Sequence, residues 1–341
     1  MFEAVDDTVL RNVGAIALAV LVLWWILSRL ARQQRDSSDE KQIAKLKNKR
    51  RTKYEGAKKD YDRCRKKIEK GNTVLVDFIH DLGDDFVGRD SAQQQIAFDE
   101  AFEAIAAIRQ ANSRAKIVVV LHTLGGYARP AHMIALALKR HLRRVGGHNP
   151  KRDPKVVAYI PYVAMSGGTM IALAADKVVM DETASLGPID TIYGGFPTDA
   201  YRDLLGKKGP LATQDVLVML AHESEKYDKY SDQVSREIVN TAHKSRDRDE
   251  NFLADYLSEG KMSHSEAISV GKAKRLGMNI SDEMPGLIYG LVDARIRMIN
   301  TRLEFEERRL SQNDKDDEEA DTPEKAMERA IRQSLRGGAR L

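Results

Sequence analysis

The chain carries one cysteine, Cys64, in 341 residues. A lone thiol forms no internal disulfide, so the fold needs no oxidising compartment. No Cys/His spacing resembles a zinc site, and neither a metal nor an organic cofactor is expected. Cys64 stands in a run of Lys and Arg and reads as an incidental surface residue. Charge of one sign is also in short supply. The 55 Lys and Arg against 51 Asp and Glu leave a net charge of +4, too small to point to nucleic acid. Aromatics make up only 6% of the chain, and no aromatic interleaving turns its basic stretch into a base-stacking surface. Histidine is missing from the whole interval between His148 and His222. That gap excludes a Ser-His pair soon after any nucleophile in the middle of the chain.

Long apolar runs are absent but for one. From Asn12 to Ser28 there is no charged residue, and Val13 to Leu27 is almost wholly apolar. This is the lower limit of the ~17–25 residues that cross a bilayer. Trp24 and Trp25 lie near one end, where interfacial aromatics are common. The acidic start (Glu3, Asp6, Asp7) and the lack of a small-residue cleavage site argue against a cleaved signal peptide. Only Arg11 precedes the span, whereas Arg29, Arg32, Arg35, Lys41, Lys45 and further cations follow it. The positive-inside rule then places the main body in the cytoplasm. The expected organisation is a short extracytoplasmic N-terminus (1–12), a transmembrane anchor (13–30), a basic helical stalk (31–71), a globular domain (72–290), and a C-terminal helix with a charged, partly disordered tail (291–341).

Within the globular part, strands are expected at Thr73–His80, Lys116–His122, Val156–Ile160 and Lys177–Met180. Helices are expected at 92–111, 130–145, 166–175, 214–244 (one or two), 248–257, 265–276 and from Pro285 to about Leu310. Continuous apolar strands alternating with helices indicate an α/β fold with a parallel sheet.

Two sites each follow a buried strand, where active sites of such sheets collect. The first is Gly125-Gly126, whose freedom of φ lets backbone N–H groups face an anion, as in an oxyanion hole. The second is Met165-Ser166-Gly167-Gly168, where Ser166 opens a helix. Ser is a preferred N-cap, so cap and nucleophile compete for this residue. A nucleophilic serine needs a base. His122 lies before the glycine turn, and the lysines Lys207, Lys208, Lys226 and Lys229 are the other candidates. Lys207 and Lys208 fall in Gly206-Lys-Lys-Gly-Pro210, which reads as a mobile loop.

The ordered segments Leu121–Gly126, Ala164–Asp176 and Ser185-Leu-Gly-Pro-Ile-Asp190 resemble the SppA-like branch of the ClpP/crotonase superfamily, and more narrowly the serine dehydrogenase proteinase family. The resemblance spans about residues 72–290 and departs at Leu124 and Thr169, neither a catalytic position. It implies a ClpP/crotonase-like fold and a Ser-Lys dyad. Ser166 would be the nucleophile, and Gly125, Gly126 and Gly167 the oxyanion donors. Lys229, in Lys229-Tyr-Ser-Asp-Gln-Val234, would be the base, with Lys226 as second choice. It further implies a homo-oligomer acting on peptides or membrane proteins. Two other readings stand beside this one, a catalytically inactive scaffold for membrane partners and a crotonase-like acyl-CoA enzyme.

Overall fold

The computed structural model describes residues 41–82, 95–147, 149, 151–193, 196–239, 241–243, 249, 251–258 and 266–301. The expected anchor (13–30) and the acidic tail lie outside these residues. Among the described residues no helix is long and apolar enough to cross a membrane. The chain divides into two compact units, Met1–Gly56 with Thr301–Leu341, and Ala57–Asn300. Residues 41–68 are helical (α1), and the part within the first unit is almost entirely exposed.

The second unit is built on a five-stranded parallel sheet. Its strands are β1 (Thr73–Ile79), β2 (Lys116–His122), β3 (Val156–Ile160), β5 (Lys177–Met180) and β10 (Ile280–Ser281), in the order β1-β2-β3-β5-β10. The apolar runs have no polar face because both faces of the sheet are covered. On one side Val76, Phe78, Ile117, Val119 and Leu121 pack beneath α2 (Phe98–Gln110), α3 (Ala128–Arg144) and α4 (Gly167–Leu173). On the other, Leu75, Ile79, Val118 and Val120 meet Tyr61 and Ile68 of α1 and Ile288, Leu291 and Val292 of the helix 286–301 (α9). Alternate residues of one strand thus serve two cores.

The segment expected as a solvated stalk therefore gives its last turns to the sheet. Cys64, expected on the surface, is half-buried, and its Sγ would lie 3.6 Å from a Cβ built on Gly290. A buried polar cluster pins this layer. Asp77 accepts from Tyr61 Oη at 2.9 and 3.0 Å and pairs with Arg65 at 3.2 Å. Burial, with the Asp77 charge beside it, pushes the Tyr61 phenol up to about 12.

Beyond the main sheet, β4 (Val163–Ala164), β6 (Ser185–Leu186) and β9 (Ile268–Ser269) form a small second sheet, and β7 (Ile192–Tyr193) pairs with β8 (Phe196–Pro197). Lys207 and Lys208, expected in a mobile loop, end a helix, α5 (Thr198–Lys208), which stops where Gly209 takes φ 74°. Interval 214–244 holds one long helix, α6 (Asp215–Ile238), then a 3-10 turn at Thr241–His243. The expected helices near 248–257 and 265–276 are shorter, α7 (Phe252–Ser258) and α8 (Val270–Arg275). Strand β9 takes the start of the second.

Candidate active site

At the carboxyl ends of β2 and β3 two loops are joined by backbone bonds. Thr123 N–H donates to Val163 O and Met165 N–H donates to Thr123 O, each at 3.0 Å, a short parallel bridge. This draws the Gly125-Gly126 turn against Ser166. A Cβ on Gly125 would sit 2.8 Å from Ser166 Cβ and 2.9 Å from Met165 O, so the turn tolerates no side chain there. Gly126 is tighter still: a Cβ would lie 2.3 Å from Ile96 N. Both glycines have φ in the range that L side chains avoid, 108° and 157°.

Ser166 precedes α4 at the N-cap position, but its side chain makes no cap hydrogen bond. Its backbone has φ 47° and ψ −114°, and it is the sole non-glycine residue with positive φ among the described residues. Such a conformation costs about 1–3 kcal/mol and persists where surrounding structure enforces it. A capping role gives no reason for it, since caps use extended backbone and an engaged oxygen. A sharp turn that lifts Oγ out of the loop does.

The amides around Ser166 fall into two groups. Gly125 N–H donates to Thr123 Oγ1 at 3.0 Å and is used within the fold. Gly126 and Gly167 N–H make no hydrogen bond to a described residue. They are neighbours, since a Cβ on Gly167 would lie 3.6 Å from Gly126 N. Of the three expected oxyanion donors, two are thus unengaged and adjacent. Paired free amides beside a serine are the arrangement that stabilises a tetrahedral oxyanion.

Ser166, Gly126 and Gly167 line a cleft of about 830 Å³. Met170, Ile189 and Val234 are apolar parts of its wall, and Tyr127, Tyr227 and Tyr230 are half-exposed around it. A chain poor in aromatics concentrates them here. Asp190, Glu223 and Lys226 are the charged residues in the lining apart from Arg129. Lys226 Nζ pairs with Glu223 at 2.6 Å and is more than half exposed. Lys229 is exposed on α6 and is not among the lining residues. Lys207 and Lys208 are not in the lining either. His122 turns its ring onto Tyr162, with centroids 5.3 Å apart, and does not line the cleft. Burial, aided by His80, pushes its imidazole down to about 4. No group of His, Cys, Asp and Glu among the described residues is arranged to hold a metal.

The family of ClpP-like SDH-type serine proteinases matches residues 50–319, well over half of the chain. The chain belongs to that family. Two proteins of Methanocaldococcus jannaschii are similar to it. MJ0137 is 32% identical over 225 residues, covering 66% of this chain and 74% of its own length. MJ1495 is 31% identical over 198 residues, covering 58% of this chain and 63% of its own length, so the chain spans just under two thirds of that relative. Two solved structures of a membrane-bound stomatin-specific protease, 1510-N, also align. One is a lysine-to-alanine mutant with a substrate peptide, at 15% identity and TM-score 0.36, covering 63% of this chain and 78% of that one. The other, a serine-to-alanine mutant, aligns at 14% identity and TM-score 0.35 over 65% and 84%.

Proposed function

We propose that this proteinase-family chain is a membrane-anchored serine endopeptidase that cleaves hydrophobic or membrane-associated polypeptides from Ser166. The observation that carries the reading is the backbone of Ser166, held at φ 47° with no cap bond, beside the unengaged amides of Gly126 and Gly167. Oγ attacks a peptide carbonyl, and the oxyanion is taken up by those two amides. A lysine accepts the serine proton, returns it to the leaving amine, and water then hydrolyses the acyl-enzyme. Lys226 is the better-supported base, because it lines the cleft and Lys229 does not. In the free chain Lys226 is tied to Glu223 and faces water. A lysine acts as a base only when neutral, so substrate must displace that water and loosen the ion pair before attack. The substrate lies extended between the Gly126 and Ser166 loops, with apolar side chains against Met170, Ile189 and Val234. Residues 13–30 anchor the chain as a single span with the cleft on the cytoplasmic side, and the working form is a homo-oligomer.

One observation favours the inactive scaffold instead, namely the solvated Glu223–Lys226 pair. A fluorophosphonate probe separates the two. Labelling that disappears in Ser166→Ala supports the endopeptidase. A wild-type chain that stays unlabelled at any pH, with or without lipid, sinks it.

A further inference from the structure

We propose that Glu100, His80 and Thr123 form a positioning network that sets the oxyanion turn against Ser166, an inference that rests on the acyl-transfer reading above. The residues come from three elements: His80 just after β1, Glu100 in the first turn of α2, and Thr123 at the end of β2. His80 is 1% exposed and Thr123 fully buried. The ring of His80 is engaged on both sides. Nδ1 is 2.7 Å from Thr123 Oγ1, and Nε2 is 3.2 Å from Glu100 Oε2. The His80 backbone is fixed too, its N–H donating to His122 O at 3.0 Å.

Proton counting gives the network a direction. An ionised carboxylate only accepts, so Glu100 selects the tautomer with hydrogen on Nε2. In the neutral ring Nδ1 is then an acceptor and, at 2.7 Å, draws the Thr123 hydroxyl proton in preference to Gly125 O, the hydroxyl's other acceptor at 3.2 Å. The Thr123 oxygen is left with lone pairs for Gly125 N–H, which it meets at 3.0 Å. Holding that amide inward fixes the Leu124–Gly125 peptide plane, and the next plane, which carries the Gly126 N–H, is held at the Gly125 carbonyl. The Gly126 N–H, one residue on, is left unengaged beside that of Gly167. The other anchor of the turn is Ile96 N–H donating to Gly125 O at 2.8 Å. The same Thr123 bonds Val163 and Met165, the segment leading into Ser166, through its backbone, so one residue touches both halves of the site. An apolar residue in place of Thr123 would fill the same space without holding Gly125. The network thus has a role that packing does not supply. Its far end reaches solvent, as the Glu100 side chain is 32% exposed.

The test uses the full-length chain in detergent. It measures kcat and KM on a fluorogenic hydrophobic peptide, and the affinity of a peptide aldehyde whose hemiacetal oxygen occupies the oxyanion site. Thr123→Val is expected to lower kcat about 30-fold, with KM within about threefold, and to weaken the aldehyde by a similar factor. Thr123→Ser restores both to within about threefold, because the hydroxyl alone carries the contact. Glu100→Ala, at the exposed end where folding is not at risk, lowers kcat about fivefold. Wild-type kcat in both Thr123→Val and Glu100→Ala overturns the network. So does an equal loss in the Val and Ser variants, which would be a packing effect, or a loss confined to KM. A wild-type chain that neither labels with fluorophosphonate nor cleaves the peptide overturns the endopeptidase reading itself, and this inference with it.

Discussion

Replacing Ser166 by glycine should make the protein more stable while removing the proposed nucleophile. The residue sits at φ 47°, ψ −114°, a region that glycine enters freely and L side chains do not. The stored strain is about 1–3 kcal/mol. Glycine returns part of that gain, since its unfolded chain is freer by about 0.5–1 kcal/mol. The net expectation is a gain of about 1 kcal/mol, or about 2–4 °C in Tm for a unit of this size. The proper reference is Ser166→Ala, which keeps the Cβ and the strain but loses the hydroxyl. Both variants lack the Ser166 hydroxyl proposed as nucleophile, so self-cleavage cannot separate them. Thermal unfolding in one detergent and buffer gives the comparison directly. A glycine variant equal to or below the alanine variant would refute the claim that this loop is held under strain.

Gly126→Ala should abolish fluorophosphonate labelling and leave little folded protein, because its Cβ would lie 2.3 Å from backbone Ile96 N, which has no room to retreat. Lys226→Ala should cut peptide cleavage by about 100-fold or more, while Lys229→Ala stays within about threefold; full activity in Lys226→Ala removes that lysine from the mechanism. Acid should destabilise the fold in a defined window. His122 titrates near 4 when folded, against 6.5 ordinarily, so between these values the unfolded chain binds a proton that the folded chain refuses. Stability then rises with pH across that window and levels off outside it, by about 3 kcal/mol in all. His132 and His141, also pushed down by burial, add to the slope, and His122→Phe should flatten it in Tm measured from pH 7.5 to 4.5. Asp77→Ala should cost about 1–3 kcal/mol, because it leaves the buried Tyr61 hydroxyl proton without its acceptor while Arg65 keeps Glu69 and Leu75 O, yet leave Ser166 labelling unchanged.

The main strands were legible in the sequence because both of their faces are buried, which writes an unbroken apolar run. Strands of two residues, such as β4 and β6, have no period to detect, and β4 is the one that leads into the Ser166 loop. Helix α5 was hidden by Gly206 and paired lysines, which argue locally for a loop. The choice between Lys226 and Lys229 depended on helix phase. Ser231, Val234 and Ile238 mark the inner face of α6, but that face does not separate the lysines, since Lys226 lies about 140° and Lys229 about 160° around the helix from Ser231. Lys226 stands one turn before Tyr230, on the cleft side. That side, lined also by Glu223, Tyr227 and Val234, is fixed by what packs across the cleft and carries no mark in the sequence of the helix itself. The His80–Glu100–Thr123 contacts had no such signal, since residues 20 and 43 positions apart meet only through the sheet. Cys64 likewise showed its burial only through α9, more than 200 residues on.

The bridge between Thr123 and the Val163–Met165 segment has a consequence for how the enzyme comes into being. The serine, its amide partners and the turn that faces them are about 40 residues apart, and that bridge is what joins them. A strained serine loop does not hold its shape in a chain that has yet to pair these strands. A nascent or half-folded copy is therefore chemically silent, and hydrolytic power arrives only with the finished sheet.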